Sequence, residues 1–195
     1  MSAASAIPHD PAVAAAAELA HFQAIPWCAA HLSKPNVVAH QSISRELKPR
    51  FGDALVSQSL NNKNAMAAFV TFYTRPADPS QLVEELGAFL TLGQMVNGWP
   101  GICHGGIIMT ILDEVMGQLP AINKQRGLMP NNTIMTAYLN TKFIGPVRTP
   151  STIMVTARAV KVEGRKHFYE AVVTGEKGEE LAKADALFIF LKPKL

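Results

Sequence analysis

Cysteine is scarce in this 195-residue chain, with Cys28 and Cys103 the only two. A pair so far apart forms neither a disulfide framework nor a metal-ligand spacing, so a reducing compartment is the default and no metal is expected. A strong charge of one sign is lacking too. Eighteen Lys and Arg against fifteen Asp and Glu leave a formal charge of +3, which supports no nucleic-acid partner, although a basic patch suits an anionic nucleotide. No apolar run approaches the roughly 18 residues that span a bilayer. No arginine precedes Arg45 and no basic stretch leads an apolar one, which speaks against a signal or transit peptide.

What is present suits one globular domain, with 48% hydrophobic residues for a single core. Residues 1–44 read as a helical extension, since Asp10-Pro11 ahead of an alanine-rich run offers an N-cap and a proline at the first helical position. Residues 45–195 read as the main domain. Within it, 54–60 and 65–74 are expected as strands around the Asn61-Asn64 turn. The segment 82–92 is open between helix and strand and is treated as an insertion. Four strands are expected at about 133–143, 151–163, 166–175 and 179–191, with Gly164 and Gly178 in hairpin turns. A long apolar helix followed by an antiparallel meander makes an α+β architecture.

That helix carries the chemistry. His104-Gly105-Gly106 opens it, and Asp113-Glu114 interrupts its apolar run. Glycines permit close approach of a backbone, the first N–H groups of a helix have no internal partners, and buried carboxylates are costly unless paired or used. Nine residues separate His104 from Asp113, roughly 900° of turn and about 13 Å of rise, so the two lie on opposite sides. One chain cannot join them in one site, whereas a two-fold dimer can. The plainer alternative is a tight turn capped by His104, with Asp113, Glu114 and Thr110 as a solvated stripe. Cys103 beside His104 is open to reading as a thiol nucleophile or as a small buried thiol.

The run Gly98-Trp99-Pro100-Gly101-Ile102-Cys103-His104-Gly105-Gly106, then Leu112 to Gly117, Thr136 to Thr141 and the Gly145-Pro146 turn, resembles the hot-dog fold acyl-CoA thioesterases of the PaaI-like branch. The resemblance covers about residues 54–192. It implies an antiparallel sheet wrapped around one helix and hydrolysis of an acyl thioester without metal or cofactor. Asp113 then resembles the catalytic carboxylate, as general base or as nucleophile through an anhydride. Gly105 resembles the residue whose N–H polarises the carbonyl, and Thr136 the hydroxyl that positions water. His104 would orient the loop or the substrate.

Asn97 resembles an asparagine found near the thioester in some relatives, with Gly98 at the matching position. Gly106, Glu114 and Arg148 are candidate substrate contacts, and Lys142, Arg165 and Lys166 are further candidates for coenzyme A phosphates. The resemblance implies a homodimer or a dimer of dimers. Alternatives are a thioesterase acting on an acyl-carrier protein, a hot-dog dehydratase and a non-catalytic acyl-CoA sensor. A cytoplasmic location is expected, with Pro193-Lys194-Leu195 a loose peroxisomal address.

Overall fold

A computed structural model describes residues 11–192. Asp10 and the C-terminal Pro193-Lys194-Leu195 lie outside the described residues. The helix α1 (Pro11–Gln23) begins at the expected proline and is followed by α2 (Pro26–Leu32). The extension is not helical throughout, because Val37–Gln41 forms β1 and pairs antiparallel with β2 (Met66–Thr74). Next come β3 (Glu85–Leu92), the short β4 (Asn97–Trp99) and β5 (Ile102–Cys103), and the long α3 (Gly105–Gln125). The chain ends in β6 (Ile134–Phe143), β7 (Ser151–Glu163), β8 (Lys166–Thr174) and β9 (Glu180–Phe190).

Seven strands make one antiparallel sheet in the order β1-β2-β3-β7-β8-β9-β6. The four C-terminal strands match the expected segments, and Gly164 and Gly178 adopt the positive φ their turns require, +59° and +78°. Helix α3 lies across the sheet against β3, β6, β7, β8 and β9. Its buried stripe Ile108, Ile111, Leu112, Val115, Met116, Leu119 and Ile122 repeats at intervals of three and four and fills the main core. This is the α+β, hot-dog arrangement of a sheet around a helix. No helix among the described residues is long and apolar enough to cross a membrane.

Two sequence expectations fail here. Residues 82–92 are no insertion, for β3 is an interior strand between β2 and β7. Its Leu86, Ala88, Leu90 and Leu92 face the α3 core, while Phe89 faces a second core with Phe22, Cys28, Ala68 and Val70 beneath α1 and α2. With both faces covered, the strand shows no apolar-polar alternation and so lacks the signal that marks a half-buried strand. Leu55–Ser59 is a helical turn instead of a strand. The Asp53 carbonyl accepts the amides of Val56 and Ser57, and the Asn61 side chain donates back to the Ser57 carbonyl at 3.1 Å, so local polar bonds win over the strand pattern.

The second core anchors the extension. Phe89 stacks on Phe22 at 5.7 Å and on Phe72 at 4.9 Å, and it meets Trp27 edge-on at 5.0 Å. Glu18 of α1 reinforces the attachment by accepting the Phe69 amide at 2.8 Å and pairing with buried Arg45 at 3.2 Å. Phe89→Ala removes a fully buried ring that meets Phe22, Trp27, His31 and Phe72, and a loss of about 3–5 kcal/mol in denaturant unfolding is expected. A loss below about 1 kcal/mol would mean that α1 and α2 are not fastened through this ring.

Candidate active site

The start of α3 is presented by a small two-stranded loop. β4 and β5 pair back across Gly101, whose φ is +73°, and the His104 amide donates to the Val96 carbonyl at 2.8 Å. Gly98 permits this closeness, since a Cβ there would sit 2.9 Å from the His104 ring. His104 is the N-cap of α3, and its Nδ1 accepts the Gly106 amide at 2.9 Å. That bond places the imidazole proton on Nε2. The capping that the plainer reading foresaw is therefore real, and it separates the two glycines. Gly106 spends its N–H on His104, while the Gly105 N–H has no partner among the described residues. It is the donor left at the positive end of the helix dipole.

Asp113 lies on the half-exposed side of α3 and accepts the Thr136 hydroxyl at 2.8 Å on Oδ1. The structure thus brings together a carboxylate and a hydroxyl 23 residues apart in sequence. β6 carries a bulge between Thr136 and Tyr138, a feature frequent where a strand re-aims side chains. The far end of the same strand holds Phe143 against the helix start, since a Cβ on Gly105 would lie 3.2 Å from its ring. Within the subunit, Gly105 sits by one end of β6 and Asp113 by the other.

Glu114 turns inward. Burial, with lesser contributions from the Asp53 and Asp113 carboxylates, pushes its carboxyl above the ordinary range, against a hydrogen bond from Ser44 and the charge of Lys48. An open cavity of about 300 Å³ lies beside Asp113 and Glu114, lined by Gly117, Gln118 and Ala121 of α3 and by Ile43, Ile134 and Phe188. Sequence reading passed over this wall. Gly117, Gln118, Ala121 and Lys124 follow Asp113 at helical spacing, which is the signal that could have found them. Ser44, Lys48 and Asp53 come from an irregular segment with no periodic pattern.

The remaining candidates are dispersed. Asn97 accepts a hydrogen bond from the Thr149 hydroxyl at the base of the loop. Arg148 is exposed and bridges to Ile102 beside that loop. Lys142 precedes Phe143 near the helix start, whereas Arg165 and Lys166 lie at the opposite end of the sheet, where Arg165 donates to the Phe190 carbonyl at 3.2 Å. Cys103 is buried and its thiol is pushed up to about 11 by that burial, which removes it as a nucleophile. No cluster of metal-ligating side chains occurs among the described residues.

The chain is similar in sequence to known thioesterases. The family model described as thioesterase superfamily matches residues 100–182, from the loop before His104 through β6 to β9. Verlamelin biosynthesis protein B of a Lecanicillium species is 32% identical over 169 residues, covering 72% of this chain and 73% of its own length. Acyl-coenzyme A thioesterase THEM4 of Rattus norvegicus is 33% identical over 102 residues, covering 52% of this chain and 41% of its own, so the chain spans less than half of that relative. The crystal structure of S. sahachiroi AziG shares the fold with a TM-score of 0.50 at 18% identity, covering 60% of this chain and 88% of its own.

The half-buried Glu114 carboxyl gives a stability test. Glu114 binds its proton more tightly in the folded protein than in the unfolded chain. Its contribution is full below the ordinary carboxylate pKa and is lost as pH rises through the raised folded value. Glu114→Gln should therefore flatten the fall in unfolding free energy between those two points, measured by denaturant titration at several pH values. An unchanged slope would show that Glu114 does not titrate in this window.

Proposed function

The chain belongs to the thioesterase superfamily and is a thioester hydrolase, and from that premise we propose that it cleaves acyl-coenzyme A at a site shared by two subunits. The single observation that carries this reading is the Thr136 hydroxyl on Asp113 Oδ1 at 2.8 Å, which leaves Oδ2 to hold water. Asp113 takes a proton from that water as it attacks the thioester carbon. The negative charge forming on the carbonyl oxygen is met by the Gly105 N–H at the helix start, where a donor and a dipole act together. Collapse expels the coenzyme A thiolate, which takes up a proton, and leaves the carboxylic acid.

The helix rises about 12 Å between Gly105 and Asp113, so the thioester carbonyl cannot meet both in one subunit. β6 offers a solution. It is the last strand of the sheet, and Met135, Tyr138 and Phe143 are exposed on or at it. An unpaired edge of this kind is a template for pairing with another strand. Two copies of β6 paired antiparallel about a two-fold axis between Leu139 and Asn140 would set Thr136 of one subunit opposite Phe143 of the other. Each Asp113 would then face the partner's helix start, and Lys142 and Arg148 beside that start would meet coenzyme A phosphates. His104 serves by fixing the loop, and Asn97 by bracing its base.

The Lecanicillium relative is named for a biosynthesis, and we keep as a second reading a donor in which the acyl chain is carried on a carrier protein. The same residues would act on it, since the thioester is common to both.

Asp113→Asn should lower turnover of acyl-coenzyme A by about 10² to 10⁴, the usual cost of losing a general base. Glu114→Gln should lower it far less. Thiol release from a panel of short, long and aromatic acyl thioesters measures both. Near wild-type turnover by a folded Asn variant would remove Asp113 as the base.

A further inference from the structure

The wall of the cavity that faces α3 comes from a stretch with little regular structure of its own. Ile43, Ser44, Lys48 and Asp53 line it, and between β1 and β2 the chain forms only short helical turns. The turn Ile43–Arg45 is the part tied to the helix. Gln118 Nε2 donates to Ser42 Oγ at 2.6 Å and to Ser44 Oγ at 3.2 Å, and Ser44 also bonds to Glu114. On its other side the turn is tied to β2, where the Ser42 amide donates to the Phe69 carbonyl at 3.0 Å and Arg45 Nη2 to the Met66 carbonyl at 2.6 Å.

The guanidinium of Arg45 is wholly buried, and its Nη1 has no hydrogen-bond partner. A buried cation is tolerated where an anion meets it, and removing that anion is costly. Among the described residues the anion is Glu18 of α1, whose Oε1 lies 3.2 Å from Arg45 Nε and whose Oε2 accepts the Phe69 amide at 2.8 Å. Ser44 and Arg45 share one tight turn, closed by the Arg45 amide on the Ser42 carbonyl at 2.9 Å. The place of the guanidinium therefore fixes the place of the wall, and α1 reaches the cavity through one ion pair. Glu18, Ser44 and Arg45 all lie outside residues 100–182, the part that the thioesterase family model matches.

Ser42 and Ser44 meet α3 at Gln118, about 7.5 Å beyond Asp113 along the helix axis. An acetyl group carries a single methyl beyond the thioester carbonyl and ends before that point, whereas a long acyl chain passes it. We infer that α1 belongs to the substrate site. Glu18 is a positioning residue that, through Arg45, holds the wall beside which the acyl chain lies, and so sets the preference of the enzyme for long chains over short ones. The inference rests on Asp113 marking the reacting end of the substrate.

The test compares kcat/KM for tetradecanoyl- and acetyl-coenzyme A. Glu18→Gln keeps an acceptor for the Phe69 amide and removes the charge that faces Arg45. The ratio of tetradecanoyl to acetyl kcat/KM should fall about tenfold, mostly through KM. Loss of folded protein alone lowers both values equally and leaves the ratio in place. A ratio within about twofold of wild type, or above it, would overturn the inference with thioester hydrolysis intact. Wild-type protein decides the matter if the Gln variant does not fold. Coupling is reciprocal, so a bound long chain should tighten α1 on the sheet. Saturating S-decyl-coenzyme A, a thioether that cannot be hydrolysed, should slow amide hydrogen exchange across Pro11–Gln23 relative to saturating S-ethyl-coenzyme A. Equal exchange with both would overturn the inference. Absence of turnover on every thioester would instead overturn the reading of the active site, and this inference with it.

Discussion

The seating of α3 against the sheet is the constraint from which the site follows. Its apolar stripe from Ile108 to Ile122 must be buried, and burying it fixes the rotation of the helix. Asp113 is then half-exposed toward β6, Glu114 faces the irregular segment around Ser44, and Gly117, Gln118 and Ala121 line the cavity. The pitch of the helix fixes the rest, because about 12 Å must separate the Gly105 amide from Asp113. The proposed division of the catalytic groups between subunits would follow from this helix geometry and need no special device.

The same seating explains why consecutive carboxylates behave differently. Asp113 is open to solvent or a partner and shares its proton-accepting face with Thr136. Glu114, one residue on, is turned about 100° around the helix into a pocket where burial favours its neutral form. Its place beside Ser44, which also meets Gln118, makes it part of the cavity wall.

Much of this was legible in the sequence, and the failures have physical causes. The hairpins β7 to β9 announce themselves by alternation and by glycines at their turns, and α3 by its three-four spacing. β3 was hidden because the N-terminal helices cover its outer face, a tertiary fact with no trace in a local window. The turn at Leu55–Ser59 was hidden because side-chain bonds from Asn61 override a strand-like composition. Of the candidate site, the helix start at His104-Gly105-Gly106 and the nearness of Thr136 to Asp113 were expected from motif and order. The cavity wall was not, for it draws on the irregular segment around Ser44, Lys48 and Asp53, which has no periodic pattern. Arg165 and Lys166, read as candidates for coenzyme A phosphates, lie at the end of the sheet away from the start of α3.

The most direct measurement of the shared site mixes two inactive variants. Asp113→Ala lacks the base, and Gly105→Pro lacks the proposed oxyanion donor at a position, the first of the helix, where proline is tolerated. Random re-association should make about half of the dimers mixed, each with one intact site of two, and should restore about one quarter of wild-type thiol release. No recovery, with folding and subunit exchange of both variants verified, would place Asp113 and Gly105 in one chain's site and contradict the account.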